Sequence, residues 1–341
     1  VYPSNVDQGY ILRRLIRRSL RCMRKLDIDF SKITEITKEI IKDLTNQLGQ
    51  IKEEEIIKVS KSNNIDMIGF CNIKNLIVPY EKYKIQESLD YKCSFQVGGI
   101  SDKDLSNGKY SEYNTAIVIG CAYDKVDFDT DSISLSSCAY GMDYHLELRN
   151  KLMNIGLFLE SKGYKYKIFV DNNPLDERLL AYNAGLGFYG KNNLLINEKY
   201  GSYFFIGEIL TDAIIDSDKI INSKCIGCNK CIKSCPTHAL NNNGVLNAKR
   251  CLSYLTQSKN LNESDYKYLD NCIYGCDKCI SVCPYNNSIK RIKNEIKTDE
   301  FLNLTKEEFK EKYSNNACYW RGKKVLDRNI NKDYTYGINY V

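Results

Sequence analysis

The apolar positions of this chain change period along its length, and each change marks a switch from one kind of element to another. Over residues 10–25, Ile11, Leu12, Leu15, Ile16 and Leu20 recur between Arg13, Arg14, Arg17, Arg18, Arg21, Arg24 and Lys25. That spacing predicts an amphipathic helix with a strongly basic face. Residues 54–62 repeat the helical period, and residues 66–70 form a short apolar strand. Residues 113–122 read as a second strand, carrying Thr115, Ile117, Val118 and Ile119, the β-branched types that suit a pleated surface. Helical periodicity returns over 144–161 and strand character over 164–170. A helix over 175–183 and a strand over 202–210 follow. Alternating helices and strands predict an α/β (α+β) domain across residues 53–215, behind a basic helical segment over 1–50. Residues 216–290 are loop-rich, without a sustained period. Residues 298–315 return to helix within a short, basic C-terminal tail over 291–341.

Composition sharpens this picture at one point. The 341 residues suffice for two or three domains. A net charge of +6 does not by itself diagnose a nucleic-acid partner. No run approaches the roughly 18 apolar residues that span a bilayer, and no apolar leader opens the chain, so a cytoplasmic protein without a membrane partner is expected. The fifteen cysteines are the informative count. Most lie between positions 225 and 283 in close-set groups, which metal ligation explains better than disulfides do.

The first group is Cys225-x2-Cys228-x2-Cys231-x3-Cys235-Pro236, and the second is Cys276-x2-Cys279-x3-Cys283-Pro284. Three closely spaced thiolates wrap one cubane, and the cysteine before proline ligates the other. Zinc sites usually use two separated pairs and lack the Cys-Pro ending. Two [4Fe–4S] clusters on a bacterial ferredoxin-like module over 216–290 are therefore expected. The first takes Cys225, Cys228, Cys231 and Cys283. The second takes Cys235, Cys276, Cys279 and a fourth ligand that spacing leaves open between Cys251 and Cys272. His238 reads as a surface turn residue. Cys22, Cys71, Cys93, Cys121, Cys138 and Cys318 read mostly as small buried hydrophobes.

Two further features carry possible chemistry. Gly185-Leu186-Gly187-Phe188-Tyr189-Gly190 matches G-x-G-x-x-G, but a helix precedes it and a short apolar strand follows. Dinucleotide binding needs the opposite order, so a tight turn lining a pocket is expected. Asp171 ends the apolar run Ile168-Phe169-Val170. Desolvation there would raise its pKa and let it hold a proton near neutrality. The alternative is a helix N-cap for the segment from Leu175 onward.

The residues also carry a resemblance. Tyr140-Gly141-Met142-Asp143-Tyr144-His145, Val170-Asp171-Asn172-Asn173-Pro174, the 184–192 glycine segment and Gly201-Ser202-Tyr203-Phe204-Phe205-Ile206-Gly207-Glu208 follow in order. Cys251-Leu252-Ser253-Tyr254, both cysteine groups and Trp320-Arg321-Gly322-Lys323-Lys324 complete the set. Residues 53–329 thereby resemble the epoxyqueuosine reductases, cobalamin-dependent iron–sulfur enzymes that reduce epoxyqueuosine to queuosine in the anticodon loop of tRNA. The resemblance implies a cobalamin-binding domain with Asp171 as proton donor beside a base-off cobalamin, and Cys251 as the last ligand of the second cluster. It places corrinoid contacts near Cys138, Asp171, Leu195, Ile206, Ser253, Asp277 and Lys278. It places tRNA contacts at Lys259, Arg321, Lys323, Lys324 and Arg328, and it calls for an external donor of the flavodoxin or ferredoxin type. A monomer is expected. Residues 1–45 resemble a helical fragment of alanyl-tRNA synthetases without its aminoacylation site. Two departures bear on tRNA grip. Few residues follow the Trp320 motif where many members carry a helical-repeat domain, and residues 94–113 lack the family's arginine-containing stretch. A corrinoid reductase of small molecules, such as a reductive dehalogenase, or a plain ferredoxin-type carrier are the competing classes. The Val-Asp-x-x-Pro setting of Asp171 favours the tRNA enzyme.

Overall fold

A computed structural model describes residues 7–26, 51–106, 108–128, 133–269 and 272–330, with single positions between 29 and 38. Residues 1–50 and the chain from Ile51 onward are two separate compact units. In the first, Asp7–Lys25 is one helix. Arg14, Arg17, Arg18 and Arg21 are exposed along it at i, i+3, i+4 and i+7, which is one stripe of a 3.6-residue helix.

The second unit is built on a four-stranded sheet. Its strands are β1 (Met67–Asn72), β2 (Thr115–Ala122), β5 (Tyr166–Phe169) and β8 (Phe204–Thr211), in the order β1-β2-β8-β5. Every neighbouring pair is antiparallel. The helix–strand alternation that suggested α/β thus resolves to the α+β form. The helices do not cross over between parallel neighbours; they cover the faces of an antiparallel sheet. Alternate residues of β2 divide between two cores. Ile117 and Ile119 pack with Ile56, Leu148, Leu152 and Ile155 under the helices Glu53–Ser62 and Tyr144–Ser161. Ala116 and Val118 pack with Leu180, Ala184, Leu186 and Leu195 on the other side, where the helix Glu177–Asn183 lies.

Three small pairings accompany this body, two of them tying later segments to it. β6 (Phe188–Tyr189) pairs with β7 (Leu195–Ile196). β3 (Lys125–Asp127) pairs with β10 (Arg291–Lys293), and β4 (Ser134–Leu135) with β9 (Cys272–Tyr274). Expected boundaries at 215 and 290 therefore do not separate independent bodies. The C-terminal region is more than a basic tail. Helices Thr298–Leu302, Lys306–Tyr313 and Lys323–Ile330 bury Phe301, Phe309, Leu326 and Ile330 against Ile273 and Leu135. The helix expected over 298–315 breaks because Thr305 starts a new one: its Oγ1 accepts from Glu308 N while Glu308 accepts from Thr305 N, a reciprocal cap.

Candidate functional site

The cysteine region has little regular structure. Its helices are Lys230–Ser234, Leu252–Gln257 and Lys278–Ser281. Positive φ at Gly227 and Asn229 turns the chain sharply between its thiols. Cys225, Cys228, Cys231 and Cys283 line one cavity, with Asn192 and Tyr285 in its wall. Asn192 Nδ2 is buried without a hydrogen-bond partner there. Cys235, Cys251 and Cys279 pack together around Ala239 and Leu240. Burial raises the thiol pKa of Cys279, and the neighbouring Cys251 and Cys235 thiolates add to it. Cys251 and Cys279 likewise act on Cys276 after burial and Cys272. Cys272 itself is buried in β9, its Sγ donating to the Gly275 carbonyl at 2.9 Å. Among the described residues no three His, Cys, Asp or Glu side chains close around a single metal ion.

A second site lies on the sheet. Tyr144, Asp171, Glu177, Arg178, Leu194, Leu195, Ser202, Phe204, Phe205 and Ile206 line a cavity of about 250 Å³. Arg178 also lines a neighbouring cavity of about 380 Å³ that reaches Tyr83, Tyr189 and Leu246. Asp171 follows β5 in a strained turn: its φ is 40° and that of Asn172 is 42°, the left-handed region that non-glycine residues rarely visit. Its carboxylate accepts from Tyr144 Oη at 2.6 Å and from Asn172 N at 2.6 Å, and meets His145 Nε2 at 3.2 Å. His145 Nδ1 lies 2.6 Å from Asp143, the N-cap of its helix. With a carboxylate at each ring nitrogen, His145 has its pKa raised although burial opposes the charge. Burial also pushes Asp171 up, but the bonds from His145, Tyr144 and Asn172 outweigh it and hold the carboxyl at about 2. Where desolvation alone was expected to raise it, three donors here favour its anion. Nor is it a helix cap, since Asp176 caps Glu177–Asn183 by accepting from Leu179 N.

An aromatic stack braces the turn. Tyr144 lies over Phe205 at 4.2 Å and over His145 at 4.1 Å, and Phe205 meets Tyr123 at 4.4 Å. The Tyr123 phenol neighbours Cys138, Asp277 and Cys279, which raise its pKa after burial. Asp277 accepts from Ser137 N and from the Ser136 and Ser137 hydroxyls. Ser136 Oγ is 3.2 Å from Cys138 Sγ. The Cys138 thiol is pushed up to about 12 by burial first, then by Asp277 and Asp171. One connected set of side chains therefore runs from Asp171 to the second cysteine group.

The structure brings Asp171, Leu195 and Ile206 into one cavity wall and sets Cys138 beside Ser136 and Asp277. Lys278 starts the helix after Asp277. Ser253 lies in the helix Leu252–Gln257, whose Thr256 hydroxyl accepts from Gly275 N. Two basic residues are not free for a ligand. Arg328 is buried and donates to the Ser258 and Lys259 carbonyls, so it shapes the Lys259 loop. Lys323 is held by Asp327 and the Leu302 carbonyl. Lys324 is exposed, and Arg321 stacks over Trp320 at 4.5 Å. His238 is exposed in a turn, as expected. Cys71, Cys121 and Cys318 are buried, whereas Cys22 is exposed and Cys93 and Cys138 are half-buried. The G-x-G-x-x-G segment leads from helix to the β6–β7 hairpin, with Gly185 at φ 70°. Sequence reasoning passed over Tyr144, His145 and Glu177 as chemical groups. The signal was an Asp-Tyr-His run opening a helix and a Glu six residues after Asp171.

Residues 224–286 match the family described as 4Fe-4S double cluster binding domain. With the thiol arrangement and the carboxylate-edged cavity, that match defines an iron–sulfur oxidoreductase. Residues 109–172 match the family described as Epoxyqueuosine reductase QueG, DUF1730. Epoxyqueuosine reductase of Lactococcus garvieae is 34% identical over 299 residues, covering 82% of this chain and 85% of the relative. That of Bacillus subtilis is 33% identical, covering 81% and 77%. The solved structure from Streptococcus thermophilus superposes with a TM-score of 0.74 at 32% identity, covering 82% of this chain and 79% of that one. An epoxyqueuosine reductase bound to a tRNA-Tyr epoxyqueuosine-modified stem loop gives 0.75 at 32%, with coverage of 82% and 79%. The chain belongs to the epoxyqueuosine reductase family. Residues 1–64 match the family described as tRNA synthetases class II (A).

Proposed function

We propose that this chain reduces epoxyqueuosine to queuosine in the anticodon loop of tRNA, with Asp171 delivering a proton into the cavity on the sheet. The observation that carries the reading is the strained Asp171 turn at the edge of an apolar cavity, linked through Cys138 and Asp277 to the second cysteine group.

The residues present fit the two groups this chemistry needs. Four thiols around one cavity suit a cubane, and the grouping of Cys235, Cys251, Cys276 and Cys279 suits a second. Engagement of Cys272 by the Gly275 carbonyl supports Cys251 as the fourth ligand. A corrinoid would lie against the apolar floor of Leu195, Phe204 and Ile206, with Cys138, Ser253, Asp277 and Lys278 as the further contacts the family resemblance implies. Arg178 lines both this cavity and its neighbour, and the buried, unpartnered Ser202 Oγ offers a polar contact. When bound, the clusters and a base-off cobalamin supply low-potential electrons.

The side chains handle the proton. Tyr144 and His145 hold Asp171 in place and keep its charge stable while the cavity is open to water. Filling the cavity increases the desolvation of that carboxylate and moves it toward the protonated form. His145, 3.2 Å away, is a charged proton source beside it. A proton on Asp171 then meets the departing oxygen. Exposed Lys324, the Lys259 loop held by Arg328, and Arg321 on Trp320 supply cationic and aromatic groups for RNA. The chain acts as a cytoplasmic monomer with an external flavodoxin- or ferredoxin-type donor. Anaerobic turnover of epoxyqueuosine-containing tRNA is the test: queuosine should form with wild-type protein, and its absence would refute the reading.

A further inference from the structure

Glu208 is the one carboxyl group among the described residues that is fully buried with neither oxygen hydrogen-bonded. An orphaned buried acid of this kind calls for an explanation. It stands on β8 at the alternate position to Phe204 and Ile206, both of which line the cavity. Side chains two apart on a strand share a face, so Glu208 points to the cavity side of the sheet. Its cross-strand partners Val118 and Phe169 belong to the core on that same side. Glu177 lies in the cavity wall beside Asp171. Two carboxyl groups, Asp171 and Glu177, thus edge the cavity, and Glu208 lies buried behind them on the same side of the sheet.

We propose that Glu177 supplies the second proton of the reduction, with Glu208 as the uncharged acid behind it. This rests on the epoxyqueuosine reading above and extends it. Converting an epoxide to an alkene breaks two carbon–oxygen bonds and releases water. It consumes two electrons and two protons. The electrons arrive through the clusters from an external reductant. Asp171 carries one transferable proton and Glu177 the other. Both end as carboxylates, to be reprotonated from solvent.

The charges around Glu177 fit this task. Asp171 on the turn, His145 and Tyr144 on the Tyr144–Ser161 helix, Asp176 and Arg178 on its own helix, Tyr189 on β6 and Glu208 on β8 all face it. Burial, then Asp171, raises its carboxyl to about 7, with Arg178 and His145 opposing. Burial, then Glu177 and Asp171, holds Glu208 well above the carboxylate range. Buried with neither oxygen hydrogen-bonded, Glu208 is pushed toward its uncharged form, and Glu177, raised to about 7, suits a general acid.

The test has two arms on the cluster-loaded protein. In infrared spectra near pH 7, wild type should show a protonated-carboxyl band with a component titrating near pH 7. Glu177→Gln should remove the titrating component, and Glu208→Gln the part that persists at higher pH. In single turnover with prereduced, corrinoid-loaded enzyme and modified tRNA, Glu177→Gln should be about 100-fold slower and lose the fall in rate above pH 7. Glu177→Asp should recover part of the rate. Iron content and the corrinoid spectrum confirm that each variant is loaded. A wild-type rate and pH profile in Glu177→Gln, or an unchanged infrared band in both Gln variants, would overturn the proposal. Failure of wild type to make queuosine sinks the functional reading instead, while the infrared arm still decides the protonation of the pair.

Discussion

The antiparallel sheet and the cysteine region hold their shapes by different means. The sheet sits between two apolar cores, and β2 alone places Ile117 and Ile119 in one and Ala116 and Val118 in the other. The cysteine region has short helices and a core of Cys235, Ala239 and Leu240. Hydrophobic burial can stabilise the first by itself; the second depends on metal bonds. The site sits where these two kinds of structure meet. Its fixed walls come from the sheet, and its electron source comes from the cysteine region, whose small apolar core of Cys235, Ala239 and Leu240 leaves more for metal bonds to hold.

Removing iron should break this contrast most plainly. Chelation is expected to expose amides across residues 225–283 to hydrogen exchange, while those of β2 and β8 stay protected. Equal loss in both would show that the sheet also depends on metal. A sharper form uses single ligands. Cys251→Ser should lose about half of the roughly eight irons that two cubanes hold, whereas Cys272→Ser should keep them all. Iron analysis and EPR decide, and the reverse pattern would make Cys272 the ligand.

Next in size is the site itself. Asp171→Asn keeps the turn and its reach but removes the transferable proton, so single turnover should fall about 100- to 10,000-fold with both clusters retained. The pairing with His145 has its own pH signature. Asp171 is lowered from 3.8 to about 2, so its contribution to stability is full above 3.8 and is lost as pH falls through about 2. His145 is raised, so its contribution is full below 6.5 and is lost as pH rises through its folded value. The chain has two histidines, which makes an NMR titration simple to assign. His145 should titrate above free histidine in wild type and lower in Asp171→Asn. An unmoved midpoint would refute the ion pair.

These two regions also differed in how far the sequence revealed them. Cluster ligands announce themselves because their geometry is local: a turn of two residues sets the distance between two thiols. Even so, spacing could not choose between Cys251 and Cys272, because that choice depends on what Gly275 and Cys235 do in three dimensions. The strands were legible from β-branched runs, but their antiparallel order was not. The donors around Asp171 were hidden for the same reason. Its apolar approach, Ile168-Phe169-Val170, is written in the sequence, while the donors that override burial lie 26 and 27 residues away at His145 and Tyr144. Glu208 looked like one polar position in a strand, and only the register shows that it lies on the cavity side of the sheet.

A smaller effect tests whether the sheet stands on packing alone. A Cβ on Gly69 would lie 2.0 Å from the Ala184 carbonyl oxygen and 2.6 Å from Leu186 Cδ1. The carbonyl belongs to backbone and cannot swing aside. Gly69→Ala should therefore cost about 1–3 kcal/mol, read as a lower denaturant midpoint, with the same loss in cluster-loaded and cluster-free protein. A loss that depends on iron would couple the two regions after all.

The smallest expected effect concerns the N-terminal helix, which belongs to neither region. Arg14, Arg17, Arg18 and Arg21 form one exposed stripe on Asp7–Lys25. A stripe of this kind suits a phosphate backbone, and each phosphate it neutralises releases counterions, so its signature is salt dependence. Replacing these four arginines with glutamine should weaken tRNA binding and flatten the plot of log affinity against log salt by about 0.7 to 0.9 for each phosphate no longer neutralised. Single-turnover rate at saturating tRNA should not change, because none of these residues lines the cavity. The two readouts separate grip from chemistry. An unchanged slope would make the helix a passive attachment, and a slowed rate at saturation would mean that it orders the site.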